Sequence, residues 1–242
     1  MCGRFAMDDS TNEMLEQIVA EHGTAALADW QRYWPPNYNV APTDEVPIVR
    51  VRHGEREVVP ARWAMVPPGS PTFGGGKPVF NARIETVDTL GLFKQPFAQA
   101  RAIVPALGYY EWKVAADGGK DPFFIRERGG PMALAGLWRA WRDKSKDADD
   151  PGAWRISMAI ITMDAHAVPG DVHDRQPAFL TPEQFDDWLG DSLGPADLKR
   201  LLQDGSEAVR EEIEFYPVSR SVNRVKVDGR PNTGPELIEP AT

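Results

Sequence analysis

The sequence predicts an α+β protein folded as a single domain, in which a mixed, mainly antiparallel sheet curls into a barrel-like core with helices flanking it. Three observations lead there. Most of the chain beyond its first twenty residues falls into short apolar or alternating runs separated by Gly- and Pro-rich turns, which is the pattern of strands. Helix-start signals are few and scattered among those runs. A chain of 242 residues with 42% hydrophobic content, ten Phe and eight Trp has ample material for one packed core.

The elements follow in chain order. Ser10 with Glu13 forms a capping box ahead of Met14, Leu15, Ile18 and Val19, so a helix is expected from about residue 11 to a stop at Gly23. Val46–Arg52 alternates Val49 and Val51 with Arg50 and Arg52, His53-Gly54 supplies a turn, and Glu57–Val66 returns as the second arm of a hairpin. Pro67–Pro78 reads as a loop, and a helix is expected to begin near Glu85. Ala102–Val104, Tyr109–Trp112 and Ile156–Met163 are strands, while Pro122–Arg128 and Met132–Trp141 flank Gly129-Gly130 as a second hairpin. Asp143–Gly152 is a loop. Thr181 with Gln184 caps a helix carrying Phe185, Trp188 and Leu189, and Pro195–Leu202 is another. The domain is expected to span residues 1–228, with 229–242 a poorly ordered tail that has little to bury.

A lone cysteine excludes internal disulfides, no apolar run approaches the ~20 residues of a membrane span, and the first residues lack a signal-peptide segment. A cytoplasmic, membrane-free monomer is the expectation. The net charge of −9 argues against nucleic acid at first sight, because phosphate neutralisation supplies most non-specific affinity. Its distribution weakens that objection: residues 181–242 hold 13 acids and 7 bases, which leaves 23 acids against 20 bases in residues 1–180. Arg4, Arg62, Arg83, Arg101 and Arg175 are available to line a groove.

The chemistry centres on Cys2. Once Met1 is removed, Cys2 carries an α-amine and a thiol on one framework, and the small residues that begin the chain favour that removal. Such an exposed 1,2-aminothiol condenses with an aldehyde to an imine and closes to a thiazolidine. An α-amine titrates near ~8 against ~10.4 for lysine, so it is neutral about a hundredfold more often at neutral pH. The alternative is an inert small hydrophobe. Glu111 lies in an apolar strand between Tyr110 and Trp112, where desolvation would raise its pKa and suit it to proton transfer; a strand-end carboxylate in water is the other reading. His173, followed by Asp174 and Arg175, is a candidate proton relay, with His166 competing on the same loop. His22 and His53 are expected to be exposed bystanders. No metal or other cofactor is expected: ligand spacing is lacking, and Gly74–Gly76 has no phosphate-loop context.

Taken together, Cys2-Gly3-Arg4-Phe5, Tyr38-Asn39-Val40-Ala41-Pro42, Asn81-Ala82-Arg83-x-Glu85-Thr86, Tyr110-Glu111-Trp112, Ala135-Gly136-Leu137-Trp138 and His173-Asp174-Arg175-x-Pro177 resemble the SRAP family, the SOS-response-associated peptidases. The resemblance implies capture of abasic sites in single-stranded DNA. The Cys2 amine and thiol would trap the ring-opened sugar, and the family's self-processing would release Met1. It further implies Asn81 hydrogen-bonding at the linkage, Glu111 as acid and base, and His173 assisting imine chemistry of a lyase type. Arg4, Pro42, Arg83 and Arg175 would face the DNA, with Phe73 standing where relatives often place wedge tryptophans. Gly91 occupies a position where related sequences can carry arginine. The rival is an N-terminal-nucleophile amidohydrolase of the glutaminase type, which also starts Met-Cys-Gly.

Overall fold

A computed structural model describes residues 2–20, 34–147, 149–165 and 172–241. Two large sheets, a two-stranded ribbon and four α-helices make up the described fold, with short 3-10 turns between them. The first sheet has β1 (Phe5–Met7) between β2 (Asn37–Val40) and β7 (Gly108–Val114), and continues through β8 (Lys120–Glu127) to β13 (Ile213–Pro217). The second contains β3 (Glu45–Arg52), β4 (Glu55–Trp63), β6 (Arg101–Ala106), β9 (Met132–Arg142) and β10 (Trp154–Asp164). These five pair in a cycle, β3 to β4 to β10 to β9 to β6 and back to β3, which closes a small barrel. Closure removes the free edges that an open sheet would expose. β5 (Asn81–Arg83), β11 (Arg175–Pro177) and β12 (Phe179–Leu180) pair with the barrel's outer strands. The pairing is antiparallel except where β10 meets β4 and β5.

Alternation along the barrel strands builds two cores. Val49, Ile103, Ala135, Leu137, Ala159 and Ile161 pack with α1 (Asp9–Ala20), α2 (Lys94–Gln99), α3 (Phe185–Leu189) and α4 (Pro195–Ala208). Their strand neighbours Ile48, Ala102, Val104, Leu134, Met158 and Ile160 pack toward the first sheet, with Phe5, Tyr109 and Cys2. That period of two is what the apolar runs encode. No described helix is long and apolar enough to cross a membrane.

Several expectations need correction. The first helix is capped by Asp8 rather than Ser10: Asp8 Oδ1 accepts from the Ser10 and Thr11 amides at 3.0 and 3.4 Å, and Thr11 Oγ1 closes the box by accepting from the Asp8 amide at 3.1 Å. Its expected stop at Gly23 lies outside the described residues. No helix starts at Glu85. Residues 84–93 form successive turns, consistent with the poor helix formers Thr86, Val87, Asp88 and Thr89, and α2 begins only at Lys94. β8 and β9 are not a hairpin. β8 is saturated by β7 and β13, and β9 by β6, β10 and β12, so the chain crosses between sheets at Gly129-Gly130 with a single bridge from Glu127 to Gly130. The hairpin of β3 and β4 does form, with His53 exposed and both turn residues at positive φ (53° and 85°), as a type I′ turn requires. The last helix runs past residue 202 to Ala208, and it includes Gly205 because a Cβ there would lie 2.7 Å from the Phe179 carbonyl.

The expected loose tail is packed as far as Ala241. Leu237 is fully buried, the Tyr38 amide donates to the Thr233 carbonyl at 3.1 Å, and the Ala241 amide donates to Pro217 at 2.8 Å. One buried leucine and a few backbone bonds anchor a segment whose composition advertises little apolar surface.

Candidate active site

β1 fixes the position of Cys2. Phe5 pairs with Tyr109 on one side and Val40 on the other, and the Tyr110 amide donates to the Arg4 carbonyl at 3.0 Å, so the preceding residues run along β7 toward Glu111. Cys2 is fully buried, against the expectation of an exposed start. Asn81, at the head of β5 and in register with Ile160, donates from Nδ2 to the Cys2 carbonyl at 2.7 Å. Its Oδ1 is buried and has no hydrogen-bond partner among the described residues.

Tyr109 and Glu111, two apart on β7, share the inner face, while Tyr110 and Trp112 take the opposite one. Glu111 is 2% exposed, and burial pushes its carboxyl from 4.5 up to about 7. Burial, reinforced by the Glu111 charge, also raises the Cys2 thiol far above its ordinary range, so the sulfur is protonated at neutral pH. The Tyr109 hydroxyl is fully buried with no hydrogen-bond partner among the described residues, and burial followed by the Cys2 and Glu111 charges raises its pKa well above 10. It is a neutral donor.

His173 is partly exposed. Burial followed by neighbouring positive charge lowers its pKa from 6.5. Its Nδ1 lies 3.0 Å from the Arg175 amide and 2.9 Å from Asp174 Oδ1, two contacts that ask for opposite protonation of that nitrogen. The lowered pKa favours the backbone bond, with Nδ1 accepting and the proton assigned to Nε2. His166 lies outside the described residues. Among the described residues no group of three or more His, Cys, Asp or Glu could hold a metal ion.

The expected DNA-facing residues divide. Arg83 is exposed at the end of β5 and has no ion pair among the described residues. Pro42 begins a turn closed by the Asp44 amide on Ala41 O at 3.0 Å, with Thr43 held at φ 87° beside it. Arg4 is engaged internally, donating from one nitrogen to Asn39 Oδ1 and to the Val222 carbonyl at 2.8 Å, with its guanidinium 5.8 Å from the Trp112 ring. Arg175, its side chain 11% exposed, binds Glu85 at 2.7 Å, Asp164 at 2.5 Å and the Thr162 carbonyl at 2.8 Å. Phe73 does not project as a wedge, because Trp141 packs against it at 5.5 Å and the Arg155 guanidinium covers it at 3.9 Å. The imagined arginine groove also loses Arg101, which is buried and donates to the carbonyls of Phe97, Ala98, Trp188 and Gly190. Arg62 donates to the Thr43 carbonyl at 3.1 Å.

Sequence reasoning gave no role to Asn39. Its Nδ2 donates to the carbonyls of Arg224 and Asn232 at 3.1 and 3.0 Å while its Oδ1 holds Arg4, so it ties the C-terminal segment to the residues beside Cys2. An Asn inside a strand was the available signal, since such a side chain must find partners when buried. Nothing in the sequence marked the Tyr109 hydroxyl.

A buried cysteine near the chain start, set between a barrel and a second sheet beside a carboxyl whose pKa burial lifts toward neutrality, defines a class of proteins that hold a thiol and a carboxyl in one enclosure. A family model described as SOS response associated peptidase (SRAP) matches residues 1–225, and the chain belongs to that family. It is 31% identical over 241 residues to abasic site processing protein YoqW of Bacillus subtilis (strain 168), covering 99% of each chain. It is likewise 31% identical over 247 residues to abasic site processing protein YedK of Escherichia coli (strain K12), covering 99% of this chain and 100% of that one. A solved protein from Bacteroides thetaiotaomicron shares the fold, with a TM-score of 0.78 at 23% identity and full coverage of both chains. A phage-related protein of Bordetella bronchiseptica aligns with a TM-score of 0.66 at 28% identity over 90% of this chain and 95% of that one.

Proposed function

We propose that this protein processes abasic sites in DNA, binding the single strand and capturing the ring-opened sugar as a thiazolidine on Cys2 after releasing its own Met1. The observation that carries the reading is the setting of Cys2, whose carbonyl is held by Asn81 beside a Glu111 carboxyl that is about half protonated near pH 7. The names of the relatives point the same way.

The chemistry balances with the groups present. The protonated Cys2 thiol attacks the Met1 carbonyl, Glu111 carries the proton from sulfur to the departing amine, and one water hydrolyses the thioester to free methionine and thiol. The released amine then adds to the C1′ aldehyde, giving a carbinolamine. Protonated Glu111 donates to its hydroxyl, which leaves as water, and an imine remains. The thiol adds across the C=N bond, sulfur to carbon and proton to nitrogen, and the ring closes with a net loss of one water. A carboxyl near neutral pKa serves both the deprotonation and the dehydration steps, which a carboxylate at 4.5 does poorly at pH 7. His173, neutral at that pH, accepts and returns protons during sugar ring opening. Arg83 is the cation best placed to hold a phosphate.

The test mixes Met1-free protein with a single-stranded oligonucleotide carrying an abasic site and resolves the products under denaturing conditions. A shifted band that Cys2→Ala abolishes is expected. Glutamine hydrolysis without any DNA adduct would instead favour the amidohydrolase reading.

A further inference from the structure

The acidic C-terminal third contains a basic island. Residues 219–231 carry Arg220, Arg224, Lys226 and Arg230 against the single acid Asp228, a local balance of +3 in a chain of −9. Arg220 is committed to Asp117 and Asp121 at 2.8 and 2.7 Å. Arg224, Lys226 and Arg230 are exposed and have no ion pair among the described residues. Lys226 and Arg230 sit on a two-stranded ribbon of β14 (Lys226–Val227) and β15 (Arg230–Pro231), whose turn residues Asp228 and Gly229 both have positive φ, at 49° and 78°. Such a type I′ turn gives the ribbon a fixed shape. Val225 and Val227, 43% and 40% exposed, alternate with the cations.

The ribbon is rooted at the active site. Asn232 donates to the carbonyls of Ser221 and Arg224, both at 2.9 Å, and Asn39 binds Arg224 and Asn232 while holding Arg4, two residues from Cys2. Trp112, next to Glu111, donates from Nε1 to Asn223 Oδ1 at 2.6 Å. The cations therefore sit on the segment that is hydrogen-bonded, through Asn39 and Trp112, to residues beside Cys2 and Glu111. The family match ends at residue 225, so Lys226 and Arg230 on the ribbon lie beyond the matched stretch and Arg224 lies just inside it.

We infer that Arg224 and the ribbon cations Lys226 and Arg230 form a contact for the phosphate backbone of the DNA strand flanking the lesion. The inference rests on the DNA reading above. Exposed cations on a rigid ribbon neutralise phosphates without paying for a broken ion pair, and the intervening valines offer apolar contact to sugars. An acidic protein surface is the competing occupant.

The test compares full-length wild type with the triple variant Arg224→Ala/Lys226→Ala/Arg230→Ala. Its probes are an intact single-stranded oligonucleotide and the same strand with a central abasic site. Each phosphate contact on a single strand contributes about 0.7 to the slope of log affinity against log salt, so losing three should make it shallower by about 2. The Asn39 bond to Arg224 uses the backbone carbonyl, so the melting temperature should hold, and an all-lysine version should restore the steeper slope. Equal slopes and affinities for wild type and triple variant would overturn the inference, even with the covalent adduct intact. A shallower slope on intact DNA with no adduct from wild type would leave the ribbon standing and sink the thiazolidine reading instead.

Discussion

Replacing Glu111 with Gln should stabilise the fold at alkaline pH and leave it unchanged in acid. Burial raises the folded-state pKa from 4.5 to about 7, so folding favours the protonated carboxyl. Below about 4.5 the group is protonated in both states and costs nothing. Between 4.5 and 7 the unfolded chain releases the proton while the folded chain keeps it, so stability falls as pH rises, and the full loss is present above 7. At 1.36 kcal/mol per tenfold, that gap corresponds to ~3 kcal/mol, without discount for solvent because Glu111 is 2% exposed. Gln keeps the shape and does not titrate. Urea unfolding followed by tryptophan fluorescence, run from pH 5 to 8.5 on both proteins, should give a stability difference that opens with pH toward ~3 kcal/mol in favour of the variant. The same variant should lose most of its crosslinking rate. A difference that stays flat across pH would refute the raised pKa and with it the proton-carrier role.

Tyr109→Phe should raise stability by about 1–3 kcal/mol, because it removes a buried hydroxyl with no partner among the described residues; a drop in melting temperature would show that the hydroxyl is bonded. The His173 imidazole should titrate below 6.5 in an NMR pH series, and a midpoint above 6.5 would mean that Asp174 rather than the Arg175 amide governs Nδ1. Arg175→Ala should cost about 1–3 kcal/mol in urea unfolding through its lost bonds to Glu85 and Asp164, and unchanged stability would return Arg175 to a purely DNA-facing role. Arg83→Ala should leave stability within about 0.5 kcal/mol yet weaken DNA capture more at low salt than at high; salt-independent weakening would remove it as a phosphate contact.

What the sequence made legible was local. The hairpin of β3 and β4 could be read because His53-Gly54 and the flanking alternation are short-range signals, and the box of Thr181 and Gln184 closes in the same way. Burial of Glu111 was expected from Tyr110 and Trp112, but those rings take the opposite face of β7; it is Tyr109, two residues away, that shares the buried face with Glu111. Long-range pairing was not legible. Gly129-Gly130 supplies backbone freedom, but whether the next strand folds back or joins another sheet depends on which edges are already occupied. The arginines show the same limit. Arg83, Arg101 and Arg175 look alike in sequence, and only the carbonyls and carboxylates brought near by the fold commit the last two inward. Cys2 belongs with them, because its burial depends on β1 seating between β2 and β7.

The central claim is that the amine and the thiol of one residue together trap one sugar carbon. Tandem mass spectrometry of the digested protein–DNA adduct tests it most directly. The expected fragment begins at Cys2, lacks Met1, and carries the sugar at the combined mass less one water, with no thiol left to alkylate. A sugar mapped to a lysine, or a Cys2 that remains alkylatable in the adduct, would contradict it.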